Sequence, residues 1–108
     1  LTMSESKTTQ LYMMEWSLRT GHVAEGFEKF LQTGAPIPGA TSFTRYHAPG
    51  STTGWIIVEA EDVTPCSRHG AEWSSILTFK VTPILPDAKA GALAAELFPQ
   101  FLPQAATE

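Results

Sequence analysis

The chain has 108 residues, 43% of them hydrophobic, with seven Lys and Arg against eleven Asp and Glu for a formal charge of −4. One hydrophobic core is what this length supports, and the single Cys excludes an intrachain disulfide and an all-thiolate metal site. Seven dispersed basic residues form no phosphate-neutralising patch, no apolar run reaches the ~18 residues of a membrane span, and residues 1–10 lack the pattern of a signal segment; the expectation is a cytoplasmic protein with neither nucleic acid nor membrane as partner.

Residues 1–9 carry no apolar period and read as a disordered leader. From Gln10 to Leu18, Tyr12, Met14, Trp16 and Leu18 alternate with Leu11, Met13, Glu15 and Ser17, the period of a strand. Thr20 is then placed to cap a helix whose Val23, Phe27, Phe30 and Leu31 form one apolar stripe, with Glu25 and Lys29 as an exposed pair and Gly34 and Pro36 as the stop. Gly39 to His47 alternates again, and Pro49-Gly50 suits the centre of a type II turn leading to a return strand over Gly54 to Ala60.

Thr64 and Pro65 predict the start of a second helix with Cys66, Gly70, Trp73 and Leu77 roughly on one side, ending near Ser75. A fourth strand follows over Ile76 to Leu85, with Pro83 either ending it or holding it at a sheet edge. Pro86 and Asp87 begin an alanine-rich helix with Leu93, Leu97 and Phe98 on one side, broken by Pro99 and followed by an apolar-studded tail to residue 108.

The order βαββαβ predicts an α+β, ferredoxin-like domain over residues 10–85: a four-stranded antiparallel sheet with two helices on one face, plus an extra C-terminal helix and tail over 86–108. The face without helices is expected to bear Leu11, Met13, Glu15, Phe43, Arg45, His47, Trp55, Ile57, Glu59, Ile76, Thr78 and Lys80. Such a mixture is too apolar for water, so two copies are expected to associate as a homodimer with facing sheets.

Several segments carry a resemblance: Leu11-Tyr12-Met13 through Trp16, Gly34-Ala35-Pro36, His47-Ala48-Pro49-Gly50 before Gly54-Trp55, and Ala71-Glu72-Trp73 before Val81-Thr82-Pro83. Over Gln10 to Leu85 the chain resembles the dimeric α/β-barrel proteins of ferredoxin-like fold, and among them the small uncharacterised bacterial members. The resemblance implies a cavity between sheet and helices or between sheets, used across that superfamily for cofactorless oxygenation, isomerisation, haem chemistry or ligand sensing. It does not choose among these, because function resides in the site. Cofactorless monooxygenases of the superfamily use a His and a Trp with an Asn from the first strand, and this chain contains no Asn.

Glu15, Arg45, His47, Glu59 and Lys80 fall together by alternation, either as a structural ion-pair network or as the polar part of a pocket. In the pocket reading, Arg45 and His47 hold a carboxylate, enolate or carbonyl oxygen while Trp55, Phe43, Leu11 and Met13 cover an apolar tail. His69 and Trp73 share a helix face, as a packed pair or as part of a site; His47 and His69 are the candidate acid–base residues. Cys66 and His69, which only Glu72 or His47 could join, are too few to predict a metal. No cofactor is expected, although haem would need only His47 or His69 as axial ligand. The expected protein is therefore a homodimer binding a small amphipathic carbonyl or carboxylate compound. Its alternatives are a cofactor-independent monooxygenase or isomerase with a His base, and a structural or regulatory dimer with no ligand.

Overall fold

The computed structural model describes residues 8–103. Most of the expected leader, residues 1–7, and the end of the tail, residues 104–108, lie outside the described residues. The elements in chain order are β1 (Gln10–Leu18), α1 (Val23–Thr33), β2 (Ser42–His47), β3 (Thr53–Ala60), α2 (Thr64–Glu72), β4 (Leu77–Ile84) and α3 (Asp87–Leu97), followed by a short 3-10 turn over Pro99–Phe101. The strands form one antiparallel sheet in the order β2-β3-β1-β4, the arrangement expected from the alternating strand and helix periods.

Tyr12, Met14 and Trp16 of β1 and Ile56 and Val58 of β3 are buried on one face of the sheet, where α1 and α2 lie. The core is completed by Cys66 and Trp73 of the second helical segment and by Ile37 from the loop after α1. Burial of a side chain the size of Met14 or Ile56 contributes about 1.5–3 kcal/mol each. Among the described residues β4 pairs only with β1, so Pro83 sits within an edge strand, where its missing N–H breaks no second ladder.

The β2–β3 hairpin turns as its sequence predicts: Gly50 has φ +90°, and the Ser51 N–H donates to the Ala48 carbonyl at 2.8 Å. Its register sets Arg45 opposite Ile56, Phe43 opposite Val58 and His47 opposite Gly54. Residues opposite one another share a face. Phe43, Arg45 and His47 therefore lie on the helix-covered face, a correction to their expected place, and Ser42, Thr44 and Tyr46 take the outer one. The alternation of β2 was read correctly and its phase was not, because β2 has no wholly apolar side to mark the inside. Ile76 is not part of the outer face either; it lies buried in the turn before β4 and its carbonyl accepts from the Arg19 N–H.

Local details differ in the same way. His22, not Thr20, precedes α1, and Glu25 bonds the His22 ring at 2.7 Å while Lys29 reaches the Glu72 carbonyl. At α2 the Asp62 carboxylate accepts from the Thr64 N–H, supplying the cap expected of Thr64. The apolar stripe of α1 is only partly covered: Phe30 packs inward, but Leu31 is 79% exposed. Close approach of α1 to the sheet is made at Gly26, against Leu18 and Ile76.

Gly54 is the tightest position in the hairpin, because a Cβ there would collide with the Tyr46 carbonyl oxygen and the Trp16 indole. We expect Gly54→Ala to destabilise the domain by about 1–3 kcal/mol, the usual cost of overpacking, read as a lower urea midpoint with an unchanged slope; an unchanged midpoint contradicts this packing.

Candidate ligand-binding site

The register of β2 brings together residues that sequence spacing kept apart. Arg45 and His47 from β2, Trp16 from β1 and Ile56 from β3 form the floor of a cavity of about 50 Å³, and Phe27 and Phe30 of α1, His69 of α2, Trp73, and Leu77 and Phe79 of β4 form its walls. It has room for a few water molecules and opens past the exposed side chains of Phe27 and His47.

Arg45 is half-buried. Its Nη2 donates to the Ala35 carbonyl at 2.7 Å and lies 3.5 Å from His69 Nε2. The guanidinium also rests 5.8 Å from the Phe30 ring centroid and 5.1 Å from that of Phe43. Among the described residues, no carboxylate forms an ion pair with it. Burial holds its pKa below the ordinary guanidinium value, yet a guanidinium stays charged at neutral pH. The cavity thus contains a cation whose acceptors are neutral, the Ala35 carbonyl and, at 3.5 Å, the His69 ring.

His69 is 2% exposed, flanked by Trp73 and Phe79 with ring centroids 6.1 Å and 5.7 Å away. Burial first, and then the Arg45 charge, push its pKa down to about 4; the Pro36 carbonyl opposes this, and the more remote Lys29 charge adds to it. The ring is therefore neutral at pH 7. His69 Nδ1 makes no hydrogen bond of good geometry, although the Pro36 carbonyl is near enough to favour the charged ring, and Trp16 Nε1 also lacks a partner. A buried donor or acceptor left in this state costs about 1–3 kcal/mol, and both nitrogens are fully buried.

His47 is held at the mouth between Trp16, 5.1 Å away and nearly perpendicular, and Phe30 at 5.6 Å. Phe43 lies outside the cavity wall and supports Arg45 from the sheet edge. Leu11, Met13, Glu15, Trp55 and Glu59 lie on the opposite face of the sheet, so the expected single pocket is divided in two. Glu59 there accepts hydrogen bonds from the Thr9 and Ser42 hydroxyls, and Glu15 stands opposite Lys80. Trp16, Phe27, Phe30, Ile56 and Phe79 were not singled out as site residues in the sequence. The signal was available in the hairpin: pairing Ala48 with Thr53 across the Pro49-Gly50 turn puts Arg45 beside Ile56.

Cys66 is fully buried and its thiol is pushed above its ordinary pKa by burial, which leaves it inert. No group of three His, Cys, Asp or Glu with metal-binding geometry occurs among the described residues.

The sequence matches a family described as Domain of unknown function (DUF3303) over residues 10–98. The chain belongs to this family. The DUF3303 match extends through α3, beyond the end of the sheet. No curated protein matches the sequence significantly. Among solved structures the chain is similar to PA3566 from Pseudomonas aeruginosa, with 16% identity, a TM-score of 0.48, and 76% of this chain and 98% of that one covered. It is also similar to MupZ from Pseudomonas fluorescens, with 14% identity, a TM-score of 0.43, and coverage of 100% and 95%. A third is the NE2512 protein of unknown function from Nitrosomonas europaea, with 13% identity, a TM-score of 0.43, and coverage of 75% and 94%.

Neutral burial of His69 makes stability depend on pH. The unfolded ring takes up a proton near pH 6.5 and the folded one only near pH 4, so the unfolded state binds more protons between these values and stability falls as pH drops through that window. The loss approaches about 3 kcal/mol once the unfolded ring is charged and the folded one is not. Urea midpoints of the wild type should therefore fall between pH 6.5 and 4, and those of His69→Gln should fall less; equal slopes would place His69 in contact with water.

Proposed function

We propose that this DUF3303 protein is a homodimer that binds a small amphipathic carbonyl or carboxylate compound, an aromatic or fatty-acid-like acid, with its polar head in the cavity between sheet and helices and its apolar part along the opening. The observation that carries the reading is Arg45, a half-buried cation with no carboxylate partner among the described residues, set in a cavity walled by aromatic rings beside a neutral histidine. A guanidinium in apolar surroundings is matched best by a planar anion that accepts two parallel N–H donors. Phe27 and Phe30 line the cavity where an apolar tail would lie.

The homodimer rests on the other face. Leu11, Met13, Ile57, Tyr46 and the 41% exposed Trp55 share it with Glu15, Glu59 and Lys80, a surface suited to a second copy across a two-fold axis. In this reading the dimer covers the bare sheet, and the ligand lies on the far side of it; the binding needs no cofactor.

One observation favours a second reading, an isomerase-type enzyme. A neutral imidazole 3.5 Å from a guanidinium pairs a base with a cation able to stabilise an enolate. In it His69 takes the proton next to a carbonyl and Arg45 holds the resulting oxyanion.

Benzoate, cinnamate and decanoate titrations followed by thermal unfolding test the binding. A true ligand at a hundredfold excess over its Kd stabilises by about 2.7 kcal/mol, and Arg45→Met should abolish that shift; an equal shift in Arg45→Met, or none in the wild type, rejects the site. For the second reading, phenylpyruvate in deuterated buffer should exchange its acidic C–H faster with wild type than with His69→Gln, and equal rates reject catalysis.

A further inference from the structure

The C-terminal arm is the part of the chain least explained by the domain it belongs to. None of the 11 residues of α3 is buried, and the helix packs mainly on the 3-10 turn that follows it. Leu93, Leu97, Phe98, Phe101 and Leu102 are all about half exposed or more, with Phe101 at 78%. An isolated helix shorter than about 12–15 residues is marginal in water, and Gly91 weakens this one further. The arm needs an apolar surface, and among the described residues its own body does not provide one.

Its position says which surface that is. Between the first turn of α3 and the sheet lies a cleft of about 570 Å³ whose lining includes Leu11, Glu59, Ile84, Pro86 and Lys89. Leu11 stands opposite both Glu59 and Ile84, so all three belong to the face without helices. The arm therefore leaves the domain beside the bare face, and a body seated on that face must meet it.

Area points to the same partner. Four strands about 4.8 Å apart and eight residues of about 3.4 Å rise give the bare face a footprint of roughly 500 Å², below the ~800 Å² per partner of a stable interface. An 11-residue helix adds a strip of roughly 170 Å², counted twice under two-fold symmetry because each copy both gives an arm and receives one. Sheet and arms together reach the size a stable dimer requires.

We infer that α3 and the turn after it form an exchanged arm that packs its Leu93, Leu97 and Phe101 side on a second copy of this chain, clasping the dimer across the bare sheet face. The inference rests on the homodimer proposed above and goes beyond it by assigning the dimer's strength to the arm.

Sedimentation equilibrium separates the two ideas. The variant Leu93→Ser/Leu97→Ser/Phe101→Ser changes only exposed side chains, so near-ultraviolet circular dichroism of the core tryptophans reports whether its domain stays folded, and Glu96→Gln serves as a polar control on the same helix. The expected result is a wild-type and Glu96→Gln dimer, with the dimer Kd of the triple variant raised at least tenfold. A wild-type dimer whose Kd is unchanged in the triple variant overturns the arm and leaves the sheet dimer standing; the arm then covers its own subunit or another protein. A wild type that is monomeric at tens of micromolar removes the dimer and the arm with it.

Discussion

Arg45 is placed by backbone pairing, not by its own preference for water. Once Ala48 and Thr53 bracket the Pro49-Gly50 turn, every second residue of β2 must face the helices, and Arg45 falls opposite Ile56 on the apolar side of the sheet. A charge in that position needs acceptors. The Ala35 carbonyl, delivered by the chain leaving α1, supplies one, and the faces of Phe30 and Phe43 supply weaker support. The remaining donor capacity of the fork, together with the burial and charge that keep His69 neutral, defines the electrostatics of the cavity.

The two faces of the sheet divide the work of the molecule. Toward the helices, Gly54 leaves room for the Trp16 indole, Trp16 and Phe30 hold His47 at the mouth, and His69 lies beneath between Trp73 and Phe79. Away from the helices, Leu11, Met13, Trp55 and Ile57 surround the facing Glu15 and Lys80. Rigid strands carry both sets, so a ligand on one face and a partner on the other would meet side chains fixed to the same backbone, with alternate residues as the only boundary between them.

The legibility of these features follows from how strongly each is written in local pattern. The strand β1 could be bounded from its sequence because aromatic and aliphatic residues alternate over its whole length, and its inner side is wholly apolar. In β3, Ile56 and Val58 marked the inside with equal clarity. β2 offered Phe43, Arg45 and His47 against Ser42, Thr44 and Tyr46, two sides of comparable polarity, so hydrophobicity could not choose between them. The cost of misjudging that phase was the site itself, since one residue of slip moves Arg45 and His47 from one side of the sheet to the other. The meeting of His69 with Arg45 was beyond local pattern altogether, because residues 24 apart in the chain are joined only by the packing of α2 on the sheet.

By itself the sequence determined the class of the domain, the order and approximate extent of its strands and helices, the type of the hairpin turn and most of its core, because these follow from short-range periodicity and from the backbone demands of Gly and Pro. Only the tertiary structure decided which side of β2 faces inward, that His47 and His69 share one cavity, and that α3 leaves the domain unburied. Those outcomes depend on hydrogen-bond register and on the docking of distant segments, which are properties of pairs of elements and are not encoded in the pattern of either one alone.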